Sequence, residues 1–218
     1  MTCKEILTKI DYTLLNASAT EEEIFALCDK ALQYSTASVC IPPRFVSAVR
    51  RKYPELNICT VIGFPLGYNT TEVKVFEASE AVREGADEID MVISVGDAKS
   101  GSFEKITAEI AAVKSAVGGK ILKVIVEACY LTEEEKIALC GCVTRGGADY
   151  IKTSTGFGSG GATFADVELF AANIGEDVKI KAAGGIRTQS DMERYLELGC
   201  SRIGASAGGV APLLECRD

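Results

Sequence analysis

The chain has no histidine and no tryptophan, and only 5 prolines and 3 methionines. Without histidine, Ser-His-Asp and Cys-His nucleophiles, imidazole acid–base chemistry and His-ligated zinc or iron are all excluded. Any catalysis must run on Lys, Asp, Glu, Tyr, Ser, Thr, Cys or a bound cofactor. Long apolar runs are also missing. A stretch such as Ile121–Val126 is too short and too interrupted to span a bilayer. The opening Met-Thr-Cys-Lys-Glu carries charge where a signal peptide carries apolar residues, so a cytosolic location is expected. Positive charge is in deficit, with 23 Lys and Arg against 31 Asp and Glu and a net charge of −8. A basic footprint for nucleic acid is therefore lacking.

Cysteine is not scarce. There are 9, an odd number, scattered as Cys3, Cys28, Cys40, Cys59, Cys129, Cys140, Cys142, Cys200 and Cys216 with no Cys-x-x-Cys pair. In a cytosolic chain these read as reduced, mostly buried thiols. Zinc needs four well-spaced ligands. Only Cys140-Gly141-Cys142 is close along the chain, so no metal site is expected.

The remaining composition, 47% hydrophobic and 25% charged, is that of an ordinary globular chain, and the length suits one domain over residues 1–218. Short β-rich runs alternate with longer segments of helical period. The strand candidates are Ile6–Asp11, Ser38–Ile41, Ile58–Gly63, Glu88–Ser94, Ile121–Glu127, Asp149–Ser154, Val178–Ala183 and Arg202–Ala205. Helix candidates lie near 21–34, 43–53, 71–84, 102–116, 133–145, 163–173 and 189–198. Thr20 before three glutamates and Thr132 before Glu135 are helix-start signals. Gly85, Gly146, Gly175 and Gly199 suit left-handed caps at helix ends.

Eight strands alternating with helices predict an α/β fold with a parallel sheet. Along several strands charge alternates with apolar residues. With period two, Asp90, Lys123, Glu127, Lys152 and Lys181 share the face opposite the apolar one. An open sheet covered on both sides would read as continuous apolar runs. The pattern therefore predicts a closed (β/α)₈ barrel with its active site at the carboxyl ends of the strands.

Two buried lysines near each other are a chemical signal. Unpaired buried charges cost several kcal/mol. Two ammonium groups repel, and the more buried one is expected to lose its proton more readily. That would supply the neutral amine a Schiff-base nucleophile requires. Spacing alone leaves open whether Lys152 or Lys181 is the nucleophile. Gly156-Phe157-Gly158-Ser159-Gly160-Gly161 has dinucleotide-fingerprint spacing, but it comes late in the chain and follows a strand carrying Lys152. A flexible or anion-cradling loop is the better reading. Gly184-Gly185-Ile186-Arg187 and Gly204-Ala205-Ser206 follow the last two strands, where barrels often hold a phosphate on backbone N–H groups. Cys40 is read as a buried thiol.

Several segments resemble the deoxyribose-phosphate aldolase family: Ile10-Asp-Tyr-Thr-Leu-Leu15, Val61-Ile-Gly-Phe-Pro-Leu-Gly67, Glu88-Ile-Asp-Met-Val92, Leu122-Lys-Val-Ile-Val-Glu127, Tyr150-Ile-Lys-Thr-Ser-Thr-Gly-Phe157, Lys181-Ala-Ala-Gly-Gly-Ile-Arg187 and Arg202-Ile-Gly-Ala-Ser206. The resemblance runs in order over nearly the whole chain. It implies a metal-free, cofactor-free class I aldolase that interconverts 2-deoxy-D-ribose 5-phosphate with acetaldehyde and D-glyceraldehyde 3-phosphate in deoxyribose phosphate breakdown. By position it makes Lys152 the Schiff-base lysine, Lys181 the second lysine that eases loss of its proton, and Asp90 the acid/base partner. It places Gly184, Gly185 and Ser206 in the phosphate loops and Asp11 and Lys123 at the border of the site, and Gly156 and Gly204 are expected with them among the substrate- and phosphate-binding residues. Tyr12 stands where the family usually has His, and Pro42-Pro43 where Asn-Pro is usual. Partners are expected to be small phosphosugars and aldehydes, not nucleic acid or membrane; a homodimer is an assembly this reading admits. The competing classes are a phosphosugar isomerase or other lyase without an imine, and a non-catalytic phosphate-binding barrel.

Overall fold

The computed structural model describes residues 1–214. Eight parallel strands close into a barrel in chain order, β1 pairing with β8. They are β1 Ile10–Thr13, β2 Ser38–Ile41, β3 Ile58–Ile62, β4 Glu88–Val92, β5 Ile121–Ile125, β6 Tyr150–Lys152, β7 Lys179–Ala183 and β8 Cys200–Ala205. The outer helices following the eight strands are α2 Glu21–Tyr34, α3 Val46–Lys52, α4 Thr71–Arg83, α6 Phe103–Ala116, α7 Glu133–Arg145, α8 Phe164–Asn173, α9 Gln189–Glu197 and α10 Ala207–Leu214.

Local chemistry sets the helix starts. Thr20 and Thr132 each accept a backbone N–H from the third helical residue, Glu23 and Glu135, whose carboxylates bond back to the cap. Each reciprocal pair satisfies two N–H groups that a helix start otherwise leaves bare. Gly85 and Gly199 adopt the left-handed conformation expected of them. Gly146 does not: it stays right-handed, and Gly147 takes the left-handed position. Gly175 also lacks a positive φ. Its tight packing explains it, because a Cβ would lie 2.5 Å from Thr144 Cγ2.

Three short elements carry no strong sequence period. Residues Cys3–Leu7 form α1 rather than the start of a strand, and α1 packs against α9 and α10. Residues Val95–Lys99 form α5, started by Ser94 accepting from Asp97 N. Pro43–Phe45 make a 3₁₀ turn before α3, with Pro42 extended ahead of it. Pro at the first position of such a turn loses no needed N–H.

The strands' outward apolar residues and the helices' inward faces make one apolar shell that includes Ile10, Tyr12, Val39, Ile89, Val124, Ile151 and Phe170. Tyr12, at the position of departure from the family pattern, is 1% exposed and sits in this shell. The inward residues are polar, and they build the site. No helix among the described residues is long and apolar enough to cross a membrane.

Among the described residues seven cysteines are free thiols, and all but half-buried Cys129 are buried. Cys3 departs from the expectation and is disulfide-bonded. Cys216 lies outside the described residues.

Candidate active site at the carboxyl ends of the strands

Register brings the charged side chains together. Asp90 pairs with Lys123, Lys152 with Lys181, and Lys181 with Arg202 across successive strands. Period two then turns them all inward. Asp90 is the hub. Its Oδ1 accepts from Lys123 Nζ at 2.8 Å and from Cys59 Sγ at 3.2 Å. Its Oδ2 accepts from Lys152 Nζ at 2.8 Å and Lys181 Nζ at 2.7 Å. Asp11 meets Lys181 at 2.5 Å and Arg202 at 2.5 Å, and accepts from Ser38 Oγ at 2.8 Å. Glu88 meets Lys123 at 2.5 Å and Arg202 at 2.9 Å.

Glu88, Arg202, Ser38 and Cys59 were not singled out from the sequence. Period two counted back from Asp90 reaches Glu88, but Arg202 needs the β7–β8 register, which a sequence does not display. The network answers the desolvation problem, because each buried charge has an opposite charge in contact.

Burial alone would push Asp90 up, but the ammonium groups of Lys123, Lys152 and Lys181 hold it well below the usual carboxylate range. Asp11 is likewise held down against burial, by Lys181, Lys123 and Arg202. Lys181 moves the other way. Burial would lower it, yet Asp11 and Asp90 raise it above an ordinary lysine. Lys123 is raised too, by Asp90 and the other acidic groups around it, against the same burial effect. This corrects the expectation that the more buried lysine loses its proton first. Lys181 is fully buried and Lys152 is 3% exposed, but two carboxylates outweigh desolvation at Lys181. Among the described residues Lys152 pairs with one carboxylate, Asp90.

Above this network lies a cleft of about 600 Å³, and Lys152 is the one lysine of the three that lines it. Asp11 and Lys123, expected at its border, are fully buried and do not line it. They hold Asp90 and Lys181 from within the barrel instead.

The loops after β7 and β8 form the far wall. Gly184 has φ +86° and Gly185 φ +77°. A Cβ on Gly185 would meet no protein atom within 4 Å, whereas one on Gly184 would lie 3.1 Å from Gly161 Cα. Gly185 therefore faces open cleft, and Gly184 serves a close loop crossing. Gly204 lines the cleft too. A Cβ there would come within 2.9 Å of Ala183 Cβ and 3.3 Å of Lys181 Cε, so this glycine makes room for Lys181. Ser206 precedes α10, whose first N–H groups lack intrahelical acceptors. Two basic side chains also line the cleft, Arg187 and Lys30. Lys30 was missed. Its only sequence signal is that Glu23, Ala26 and Lys30 share a face of α2.

Gly156, with φ +86°, lines the cleft. The glycine run after β6 is packed rather than loose. A Cβ on Gly161 would lie 2.2 Å from Gly184 O, and Ala162 N donates to Ala183 O at 3.1 Å. Glu127, expected on the strand face, lies past the end of β5 with φ +53°. Its carboxylate accepts from Thr155 N at 3.1 Å and from Thr155 Oγ1, and so fixes the loop after Lys152.

Donors that could hold a metal are also closer than chain spacing implied. Cys40, Cys59 and Asp90 converge from three strands, as do Asp11, Cys59 and Glu88.

A family model described as "DeoC/LacD family aldolase" matches residues 6–215. A deoxyribose-phosphate aldolase of Clostridium botulinum (strain Alaska E43 / Type E3) is 55% identical over 203 residues, 93% of this chain and 92% of that one. One from Clostridioides difficile (strain 630) is 51% identical over 216 residues, 99% of this chain and 98% of that one. Among solved structures, the aldolase QR15 superposes with a TM-score of 0.92 at 36% identity, covering 97% of this chain and 95% of that one. The deoxyribose phosphate aldolase of Aeropyrum pernix, described as tetrameric, superposes at 0.87 with 31% identity, covering 98% and 91%.

Proposed function

The chain belongs to the DeoC/LacD family of aldolases, and we propose that it cleaves 2-deoxy-D-ribose 5-phosphate reversibly to acetaldehyde and D-glyceraldehyde 3-phosphate through an imine on Lys152. The observation that carries this reading is the singularity of Lys152. It is the network's only cleft-lining lysine, and it has one carboxylate partner where Lys181 has two and Lys123 three.

Charge counting supports the same choice. Four cations, Lys123, Lys152, Lys181 and Arg202, face three carboxylates, Asp11, Glu88 and Asp90. Loss of one proton balances the interior. Lys152 is the cation whose neutralisation sacrifices the least attraction.

The neutral amine attacks C1 of the open-chain sugar, and loss of water gives an iminium. A two-carbon and a three-carbon product fix the broken bond as C2–C3. Its electron pair flows into the iminium to give a neutral enamine, and the C3 hydroxyl gives up its proton as C3 becomes the aldehyde of the phosphorylated product. Asp90 is a poor base while two ammonium groups and the iminium surround it. Enamine formation removes the positive charge at Lys152 Nζ, so Asp90 becomes more basic at the step that releases a proton. Lys181, 2.7 Å from Asp90 Oδ2, relays that proton with water to C2 of the enamine. Hydrolysis then frees acetaldehyde and Lys152.

The phosphate is held at the cleft's far wall by N–H groups around Gly185 and Ser206, with Arg187 and Lys30 supplying charge in a protein of net −8. Its binding spends remote interaction energy on orienting C1 toward Lys152. In the cell this reaction would serve breakdown of deoxyribose phosphate.

Incubation with 2-deoxy-D-ribose 5-phosphate should release acetaldehyde and D-glyceraldehyde 3-phosphate. A product with an intact five-carbon skeleton would assign an isomerase instead. Because the iminium is the electron sink, turnover should survive exhaustive EDTA treatment. Loss of activity restored by zinc or magnesium would move the chemistry to a Lewis-acid mechanism.

A further inference from the structure

Two thiols in the barrel interior have no part in the reaction above. Cys40 in β2 and Cys59 in β3 are register partners on neighbouring strands, and both are fully buried. They stand apart from the main apolar shell. With Val61 they form a small cluster of their own, packed under half-buried Leu15 and Phe64. Leu15 also lines the cleft, so the thiols lie one side chain from its wall. Cys59 Sγ is 3.2 Å from Asp90 Oδ1 and 3.3 Å from Lys123 Nζ. The two sulfur atoms and an Asp90 oxygen all lie within 4.8 Å of one another.

This donor set has a definite chemical preference. Thiolates favour zinc and cadmium over magnesium or calcium, which take oxygen ligands. A tetrahedral zinc with bonds of about 2.3 Å to sulfur sets its two sulfurs roughly 3.8 Å apart. Side-chain adjustments on the order of 1 Å close the present triangle to that size.

We infer that Cys40, Cys59 and Asp90 form a binding site for a soft divalent cation of the zinc or cadmium class, whose occupation takes Asp90 from the proton transfers it serves. Both S–H bonds break, the two protons leave to solvent, and two metal–sulfur bonds and one metal–oxygen bond form. No group is oxidised or reduced. Exchanging two protons for one divalent cation leaves the interior charge unchanged.

The neighbouring ammonium groups respond unequally. Lys181 keeps Asp11 at 2.5 Å, and Lys123 keeps Glu88 at 2.5 Å. Lys152 loses the one carboxylate it has, which favours its neutral amine, so imine formation survives while the proton transfers served by Asp90 stop. The site's existence rests on ligand geometry alone. Its effect on turnover rests on the proposed imine chemistry, so binding and labelling are read separately.

The test titrates the full chain with cadmium ion alone, in a non-thiol reductant. The ultraviolet charge-transfer absorption of cadmium–thiolate bonds reports binding. Acetaldehyde with borohydride reports Lys152. The expected result is a band that saturates at one cadmium per chain, turnover of 2-deoxy-D-ribose 5-phosphate that falls in parallel while Lys152 still labels, and recovery of turnover on adding a chelator. Cys40→Ala and Cys59→Ser should each weaken binding by ~10-fold or more, since even changing an outer-shell partner costs that much. The serine retains a donor toward Asp90, which separates loss of a ligand from disturbance of the network. Cys140→Ala and Cys142→Ala, changing the closely spaced pair on α7, should leave the titration unaltered. A band undiminished in both Cys40→Ala and Cys59→Ser, or abolished by the α7 variants, would overturn the site. Saturable binding that leaves turnover intact would overturn the withdrawal of Asp90. If Lys152 failed to label without cadmium, the imine reading would fail while the absorption still decided the site.

Discussion

At the scale of single residues, the chemistry turns on how three lysines of the same barrel come to differ. Lys181 and Lys123 are fixed as ammonium groups by several carboxylates, and Lys152 is left with one. In Lys181→Leu, a like charge disappears and Asp90 Oδ2 is left to Lys152 alone. Both changes favour the ammonium form of Lys152. The acidic limb of the pH–rate profile for imine formation should move to higher pH, and the rate at neutral pH should fall. An unmoved limb would show that burial, not the neighbouring charge, governs Lys152. Asp11→Asn tests the support beneath. It leaves Lys181 and Arg202 short of a buried counter-charge, so it should cost about 3–5 kcal/mol of stability by denaturant titration. A cost near that of a surface substitution would mean that water replaces the carboxylate. Period two displayed Asp90, Lys123, Lys152 and Lys181 as one inward set. It did not display their inequality, because Arg202 and Cys59 join through strand register.

At the scale of elements, the loops after β7 and β8 separate substrate reading from scaffolding. Gly185 opens on the cleft, while Gly184 and Gly204 have backbone or side-chain atoms against them. Unphosphorylated deoxyribose should be poorer by ~10²-fold in kcat/KM if the lost charge-assisted hydrogen bonds total about 3 kcal/mol. Gly185→Ala and Gly185→Val should weaken the phosphorylated substrate selectively. Both carry a backbone cost at φ +77° of about 1 kcal/mol or more, and that cost falls on both substrates alike. Equal loss on the two substrates would show that the loop only holds the barrel. The sequence displayed the long periodic helices and the capping boxes of Thr20 and Thr132. It hid α1, α5 and α10, which are too short or too Gly-rich for a period to show. Glu127 misled for a related reason: the apolar run continues past Ile125, but the backbone turns left-handed at Glu127 to meet Thr155.

At the scale of the molecule, closure of the barrel stores charge inside a protein of net −8, and pH should act on that store. Asp11 and Asp90 are both held below their unfolded values. Their contribution to stability is present above the unfolded carboxylate range near about pH 4 and is lost as pH falls through and below it. Denaturant midpoints should therefore drop steeply on acidification below that range, and less steeply in Asp11→Asn. Equal slopes would place the acid sensitivity outside the barrel interior. Strand count and alternation made closure legible from sequence, and no interior contact was needed for that inference. The most direct test of the whole account is an intact-mass spectrum and peptide map after acetaldehyde and borohydride. One ethyl group per chain is expected, on the peptide bearing Lys152, and none in Lys152→Ala. An adduct on Lys181 or Lys123, or none on the unaltered chain, would contradict it.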